Sequence, residues 1–251
     1  MNLTVLGVLQ ARMSSSRLPG KVMAIVNGKP VIYWQIKRIM KSNLIDTLVV
    51  VTSTDISDDV LYNYLISERI EVYRGSLENV FSRYLEVTKK YNPDSIVRFT
   101  ADCPMIMPEI IDSVVEAGLI SNCDYLSNTL IPSFPDGLDT EYVSRRAIEE
   151  LSKLDLKQSE QEHVTLGIYG RANKFKVQNY MNDMDLSSYR WTLDTVEDLK
   201  FLRFVFAEFL NRETEFNIAD LLQLYKKHPE KFISKSRTSI TFPIIPTIFN
   251  S

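Results

Sequence analysis

The chain has 251 residues, 45% apolar and 24% charged, with eight glycines and a formal net charge of −3, values that suit one globular domain with a full core and exclude a general nucleic-acid binder, which carries a basic surplus. No apolar run approaches the roughly 20 residues of a membrane-crossing helix, and no basic segment followed by an apolar stretch opens the chain. Cys103 and Cys123 have neither zinc nor disulfide-framework spacing, so reduced thiols and a cytoplasmic location are expected.

In chain order, residues 3–9 read as a buried strand. Residues 30–41 follow as a helix, with Ile32, Ile36, Ile39 and Met40 at helical spacing and Pro30 suited to its start. The β-branched run 47–52 is a second buried strand and 58–69 a second helix. A short strand at 70–73 precedes a helix at 78–91 with Val80, Tyr84 and Val87 on one side; 95–100 is a strand and 108–120 a helix. Four strand–helix units in succession predict an α/β fold, a three-layer, doubly wound, mostly parallel sheet with right-handed crossovers. Beyond residue 123 the rhythm loosens. Strands are expected at 124–127 and 140–143 around the turn Pro135-Asp136-Gly137, helices at 144–154 and 160–169, and strands at 175–180 and 190–193. A long helix at 196–211 is expected to turn Leu199, Leu202, Phe206 and Leu210 inward. No repeat or low-complexity linker divides the chain, so 1–232 is taken as a single domain. The acid-free stretch 233–251 is read as a tail, either loosely packed or laid on a partner subunit.

The first 45 residues hold seven Lys or Arg and no Asp or Glu. Three of the seven lie directly after the first strand, in Gln10-Ala11-Arg12-Met13-Ser14-Ser15-Ser16-Arg17-Leu18-Pro19-Gly20-Lys21. Ligands of doubly wound sheets bind beyond the carboxyl ends of the strands. A loop there whose cations neutralise polyphosphate, and whose serine hydroxyls and backbone N–H groups donate to it, is a phosphate site; the bland alternative is a solvated basic loop. The spacing of a Walker loop is absent. Asp102, in Thr100-Ala101-Asp102-Cys103-Pro104, closes another strand, where one carboxylate plus phosphate oxygens suffices for Mg²⁺; a turn residue ahead of proline is the plainer reading. Asp194 follows the expected strand at 190–193 and, with Glu197 three residues on, reads equally as a helix cap. After the third strand Gly75 permits close backbone approach, and Arg74 and Asn79 either offer hydrogen bonds to a base edge or simply form a βα turn. His163 reads as a substrate contact or a structural histidine, and His228 as a helix-end histidine. No Ser-His-Asp or Cys-His arrangement favours nucleophilic catalysis.

Together these segments resemble a known family. The stretch from Gln10 to Lys21 is similar to the QARMxSxRLPGK signature of the SpsF-type spore-coat polysaccharide cytidylyltransferases, relatives of the CMP-KDO and CMP-acylneuraminate synthetases. Asn27-Gly28-Lys29-Pro30-Val31-Ile32, Tyr73-Arg74-Gly75-Ser76, Ala101-Asp102-Cys103-Pro104, Ser127-Asn128-Thr129, Pro135-Asp136-Gly137-Leu138-Asp139-Thr140-Glu141, Glu162-His163-Val164-Thr165 and Arg190-Trp191-Thr192-Leu193-Asp194 follow in that family's order. The resemblance implies a nucleotide-diphosphosugar-transferase (Rossmann-like) fold. It implies transfer of CMP from CTP to the anomeric hydroxyl of a sugar acid (sialic, legionaminic, pseudaminic or octulosonic) with release of pyrophosphate, for surface polysaccharide or glycan synthesis. Arg12, Lys21, Asp102 and Asp194 would form the catalytic set, the two cations on the triphosphate and the two carboxylates on Mg²⁺. Gln10, Ala11, Ser14, Ser15 and Ala101 would also contact the nucleotide, with Arg74, Gly75 and Asn79 near the cytosine. Asn128, Asp139, Glu141 and His163 would face the sugar. A homodimer through an insertion at about 124–180 is implied as well, and apolar residues at 141–148 and 164–169 are expected to seek cover there. Two rivals remain. A glycosyltransferase of related fold usually needs a D-x-D motif, which Asp102-Cys103-Pro104 lacks and Asp139-Thr140-Glu141 only imitates. A non-catalytic nucleotide-binding scaffold should lack one of the four catalytic residues, and none is missing.

Overall fold

The computed structural model describes residues 3–232 and 247–250. The first strand, β1 (Val5–Gln10), is buried along nearly its whole length, as the centre of a parallel sheet covered on both faces requires. A short hairpin of β2 (Ile25–Val26) and β3 (Lys29–Pro30) turns through Asn27 and Gly28, both at positive φ, and leads into α1 (Val31–Ile39). Then β4 (Thr47–Ser53), α2 (Asp59–Ser67), β5 (Glu71–Gly75), α3 (Val80–Tyr91), β6 (Ser95–Thr100) and α4 (Pro108–Ser121) alternate. The chain continues through β7 (Tyr125–Ser127), β8 (Glu141–Ser144), α5 (Arg145–Leu151), α6 (Gln158–Glu162), α7 (Leu166–Tyr169), β9 (Val177–Met181), α8 (Val196–Glu208), α9 (Ile218–Lys227) and β10 (Thr247–Asn250).

Among the described residues the main sheet has the order β10-β9-β7-β8-β6-β1-β4-β5. Every pairing in it is parallel except those of β8, which runs antiparallel to β6 and β7. Side chains alternate across a strand. Val5 and Leu9 therefore pack with Ile32, Ile36 and Ile111 of α1 and α4, and Leu6 and Val8 with Val80, Tyr84 and Ile148 of α3 and α5. Helices thus cover both faces of the sheet. Its register aligns Gln10 with both Val51 and Thr100, so β1, β4 and β6 come to their carboxyl ends level with one another. No helix of the described residues is long and apolar enough to cross a membrane.

Through residue 121 the expected alternation is present, with ends shifted by at most two residues. Met40 is exposed rather than buried, because α1 stops at Ile39 and Met40 caps it. Leu210 is likewise exposed: α8 stops at Glu208 and Phe209 leaves helical geometry, so Leu199, Leu202 and Phe206 hold the buried stripe with Val205. The helix expected at 160–169 is two short helices, broken where Val164 takes φ of 39°. Residues 190–193 form no strand. Arg190 makes a single bridge to Asp136, and the Leu193 N–H and Thr192 hydroxyl are committed to the Asp102 carbonyl at 2.8 and 2.9 Å. The helix α9 and the β2–β3 hairpin are additions to the sequence reading. Residues 124–180 extend the same sheet. Val143, Ala147, Ile148, Val164 and Ile168, expected to need a partner's cover, are fully buried within the chain instead. Of the tail expected at 233–251, residues 233–246 and 251 lie outside the described residues, while Thr247–Asn250 add a parallel strand to β9.

Candidate active site

Beyond β1 the backbone is pinned at once. The Ala11 N–H donates to the Val51 carbonyl at 3.1 Å, and the Met13 N–H to Asp58 Oδ1 at 2.7 Å. Asp58 is fully buried, and its other oxygen accepts the Ser53 N–H and hydroxyl at 3.2 and 2.5 Å. At the far end Gly20 adopts φ of 71°, which lets its N–H return to the Met13 carbonyl at 2.9 Å. A left-handed residue at that point favours glycine. The closure holds residues 13–20 as a loop over the strand ends, and Leu18 anchors it on the core.

A cavity of about 310 Å³ opens between this loop, the ends of β1 and β6, and the α6–α7 corner. Gln10, Ala11, Arg12, Ser14, Ser15, Lys21, Ala101, Asp102, His163 and Asp194 all line it, so most of the expected nucleotide contacts, both expected carboxylates and the expected histidine meet there. Ser16, Arg17, Val22, Arg98, Thr100 and Glu162 complete the lining. Lys21 Nζ lies 2.8 Å from the Leu193 carbonyl, 2.9 Å from Asp194 Oδ1 and 3.4 Å from Asp102 Oδ2. The two carboxylates, far apart in sequence, are therefore separated by no more than the sum of the last two distances. Asp194 also pairs with Arg17 and Arg190, each at 2.8 Å. It is not the cap of α8; Thr195 and Asp198 form that capping box, which leaves the Asp194 carboxylate turned to the cavity. Burial alone would raise the pKa of Asp102, but the Lys21 ammonium and hydrogen bonds from Thr100 and the backbone outweigh it and hold the carboxyl below its ordinary value.

Three oxygens from Asp102, Leu193 and Asp194 thus surround one cationic atom. That donor set fits a hard divalent ion, which takes one or two carboxylates and fills its shell with phosphate and water. Among the described residues there is no cluster of three or more His, Cys, Asp or Glu side chains suited to a metal. The two cysteines are buried free thiols whose pKa burial pushes up.

Arg98, which the sequence reading passed over, lies in the cavity floor. The antiparallel register sets it directly opposite Glu141, and the two side chains form an ion pair. The other Glu141 oxygen accepts the Tyr125 and Thr165 hydroxyls at 2.7 and 2.6 Å, and Arg98 Nη2 reaches Gln10 Oε1 at 3.4 Å. Burial works against the charge on Arg98, but Glu141 more than offsets it and raises the guanidinium pKa. A lone arginine inside an otherwise apolar run, on the same strand face as Thr100, was the available signal. Arg83 was also missed. It is fully buried against Gly75, where a Cβ would stand 2.8 Å from its Cγ, and its Nε and Nη1 have no partner.

Several expected contacts do not line the cavity. Arg74 donates to the Ser53 and Asp55 carbonyls at 2.8 and 3.0 Å and pairs with Asp59 at 2.7 Å. Asn79 caps α3 by accepting the Ser82 N–H at 2.9 Å. With Gly75 they build the β5–α3 turn. Asn128 is buried and spans its own loop, donating to the Leu138 carbonyl at 2.8 Å and accepting the Thr140 N–H at 2.9 Å, with half-buried Asp139 between those two residues. Glu141 is a buried support for Arg98, not a wall residue.

Known proteins resemble this chain over most of its length. The cytidylyltransferase family matches residues 6–228. The spore coat polysaccharide biosynthesis protein SpsF of Bacillus subtilis (strain 168) is 30% identical over 233 residues, spanning 90% of this chain and 95% of its own. The structure of a cytidylyltransferase from Leptospira borgpetersenii serovar Hardjo-bovis (strain JB197) superposes with a TM-score of 0.87 at 32% identity, covering 94% of this chain and 100% of that one. The structure of CMP:2-keto-3-deoxy-manno-octonic acid synthetase complexed with CTP shares the fold, with a TM-score of 0.60 at 18% identity over 82% of this chain and 100% of that one.

Proposed function

The chain belongs to the cytidylyltransferase family, and from that premise we propose that it transfers CMP from CTP to the anomeric hydroxyl of a sugar acid and releases pyrophosphate. The observation that carries this reading is the convergence of Arg12, Lys21, Asp102 and Asp194 on one cavity at the carboxyl ends of β1 and β6. The name of the B. subtilis relative concerns polysaccharide synthesis, which motivates a sugar acceptor. The cation Arg98 in the cavity floor favours an acidic one.

In this reading the loop holds the triphosphate. Arg12, Arg17 and Lys21 neutralise it, Ser14 and Ser15 donate to it, and Gln10, Ala11 and Ala101 form the wall beside it. Asp102 and Asp194 would hold Mg²⁺, which when bound supplies Lewis-acid polarisation of the phosphate. The anomeric hydroxyl oxygen attacks the α-phosphorus in line and gives up its proton to water. The bond to the bridging oxygen breaks, and its electron pair leaves with pyrophosphate. Lys21 and Arg12 stabilise that growing charge, so the protein acts mainly by positioning and electrostatics. His163, which also lines the cavity, would face the sugar. A cytoplasmic homodimer contacting through 124–180 belongs to the same proposal; light scattering that reports a monomer at micromolar concentration overturns the dimer.

The test is pyrophosphate release with CTP, Mg²⁺ and a panel of sialic, legionaminic, pseudaminic and octulosonic acids. Release is expected with at least one acid. Lys21→Ala should lower turnover roughly tenfold to hundredfold, as loss of a charge-assisted contact of about 1.5–3 kcal/mol implies. Turnover of a nucleotide-sugar instead makes the chain a glycosyltransferase, and CTP binding without turnover of any acid makes it a scaffold; either outcome overturns the proposal.

A further inference from the structure

Lys21 does not stand in the cavity as a free phosphate ligand. Only 11% of its side chain is exposed, and its ammonium points away from the open loop into the three oxygens of Leu193, Asp194 and Asp102. An ammonium has three donors, and here three oxygens stand ready to accept them. These include the same carboxylates that a divalent ion would need. The loop's other cations are engaged in the same way, Arg17 with Asp194 at 2.8 Å and Arg12 with Glu162 at 3.5 Å. Each basic residue of the loop is thus paired with an acid from the facing wall.

We infer that Lys21 is an internal cation that fills the metal's place in the nucleotide-free enzyme, and that the triphosphate opens that place by drawing Lys21 to itself. The inference rests on the reading of Asp102 and Asp194 as metal ligands. A dication held by those oxygens would need the space that Nζ now holds, since Nζ lies among all three, and the repulsion of like charges makes the two occupancies exclude one another. Once Lys21 leaves for the phosphates, the carboxylates face each other with less positive charge between them. Their mutual repulsion then favours entry of a divalent ion. In the exchange the phosphate takes over the ammonium, and the dication takes over the carboxylates. Nucleotide and metal therefore bind as a coupled pair, and the free enzyme has little affinity for the ion alone.

The test titrates Mn²⁺ alone, with no nucleotide, following loss of the free-ion paramagnetic resonance signal. Wild type should bind weakly. Lys21→Met, unbranched and uncharged, should bind one Mn²⁺ roughly tenfold to hundredfold more tightly, the ratio expected if Lys21 fills the place for about 90 to 99% of the time. Lys21→Gln should show the same gain, which guards against one variant failing to fold. The gain should vanish in Lys21→Met/Asp194→Asn. Equal Mn²⁺ binding by wild type and the two folded Lys21 variants overturns the inference, as does a gain that persists without Asp194. The readout needs neither CTP nor sugar. An Asp194-dependent gain in an enzyme that fails the pyrophosphate assay would therefore sink the functional proposal and leave Lys21 standing as the internal cation of the carboxylate site.

Discussion

Replacing Glu141 by alanine tests whether that residue supports the cavity floor or touches the sugar directly. The structure gives it three partners: the Arg98 guanidinium on one oxygen, and the Tyr125 and Thr165 hydroxyls on the other. Both members of the ion pair are nearly enclosed, with side chains 12% and 10% exposed. Removing one partner of such a pair typically costs about 3–5 kcal/mol, because the other charge is left buried and uncompensated. Each hydroxyl left without an acceptor would add about 1–3 kcal/mol if no water replaced the carboxylate. Arg98 borders the cavity, so water can reach the vacated space, and about 3–5 kcal/mol in total is the expected loss. Urea unfolding at neutral pH reads it as a shift of midpoint at unchanged slope. The double variant Arg98→Met/Glu141→Leu removes both charges and should be less destabilised than Glu141→Ala alone. Glu141→Gln, if it folds, should raise KM for the acceptor more than for CTP, since Arg98 loses the ion pair that fixes its position in the cavity floor. A Glu141→Ala protein within about 1 kcal/mol of wild type, a size typical of surface rather than buried changes, would refute the reasoning and return Glu141 to the role of a direct sugar contact.

Arg38 is fully buried, donates to the carbonyls of Ile106, Glu213 and Phe216 at 2.6, 2.8 and 2.7 Å, and has its pKa lowered by burial to about 10. Arg38→Met should cost about 3–5 kcal/mol in urea unfolding, because three carbonyls lose their donors; a loss below 1 kcal/mol, the range of ordinary surface changes, would show that they find others. Gly20→Ala meets no atom closer than Met13 Cε at 3.5 Å, so its effect comes from the φ of 71°. About 1–2 kcal/mol of strain is expected, with CTP affinity by calorimetry falling along with the melting temperature; unchanged affinity would show that the loop tolerates another path. Asp102 and Asp198 both have pKa values held below 3.8 despite the opposing effect of burial, by Lys21 and Thr100 for the first and by backbone N–H groups and Arg190 for the second. A carboxyl depressed on folding contributes stability above its unfolded pKa and loses it as pH falls through the folded one. Urea midpoints should therefore drop on acidification below about pH 4, less steeply in Asp198→Asn; a midpoint that rises there contradicts the sign.

Hydropathy carried the fold as far as the strand–helix units were complete, and failed where something other than hydropathy set an end. Ile32, Ile36 and Ile39 continue into Met40, and Leu202 and Phe206 into Leu210, along apolar stripes that outlast their helices. The end of each helix lies in backbone geometry, which the stripe does not encode. Residues 190–193 are β-prone yet form no strand, because the Asp102 carbonyl, distant in sequence, takes their hydrogen bonds. The helix α9 was readable in principle: Asn217 and Asp220 form a capping box ahead of the buried pair Leu221 and Leu224.

The site divides along a different line. Arg12, Lys21 and Asp102 could be found because a doubly wound sheet collects its ligands at the carboxyl ends of its strands. Arg98 and Glu141 could not be joined from sequence, since their pairing depends on β8 entering antiparallel beside β6. The remaining differences follow from hydrogen-bond inventory. Asn128 looks like a ligand because amides in motifs can bind substrates, but nearby backbone groups already use both of its polar atoms, and the Asn79 side-chain oxygen is likewise taken by the Ser82 N–H. Asp194 looked like a helix cap, and it is available to the cavity only because Thr195 and Asp198 take that task. A polar residue in a motif is a candidate ligand only for the capacity left after its own backbone partners are counted. By that measure Asp194 keeps capacity for a ligand, whereas the amide nitrogen and oxygen of Asn128 are both engaged within its own loop.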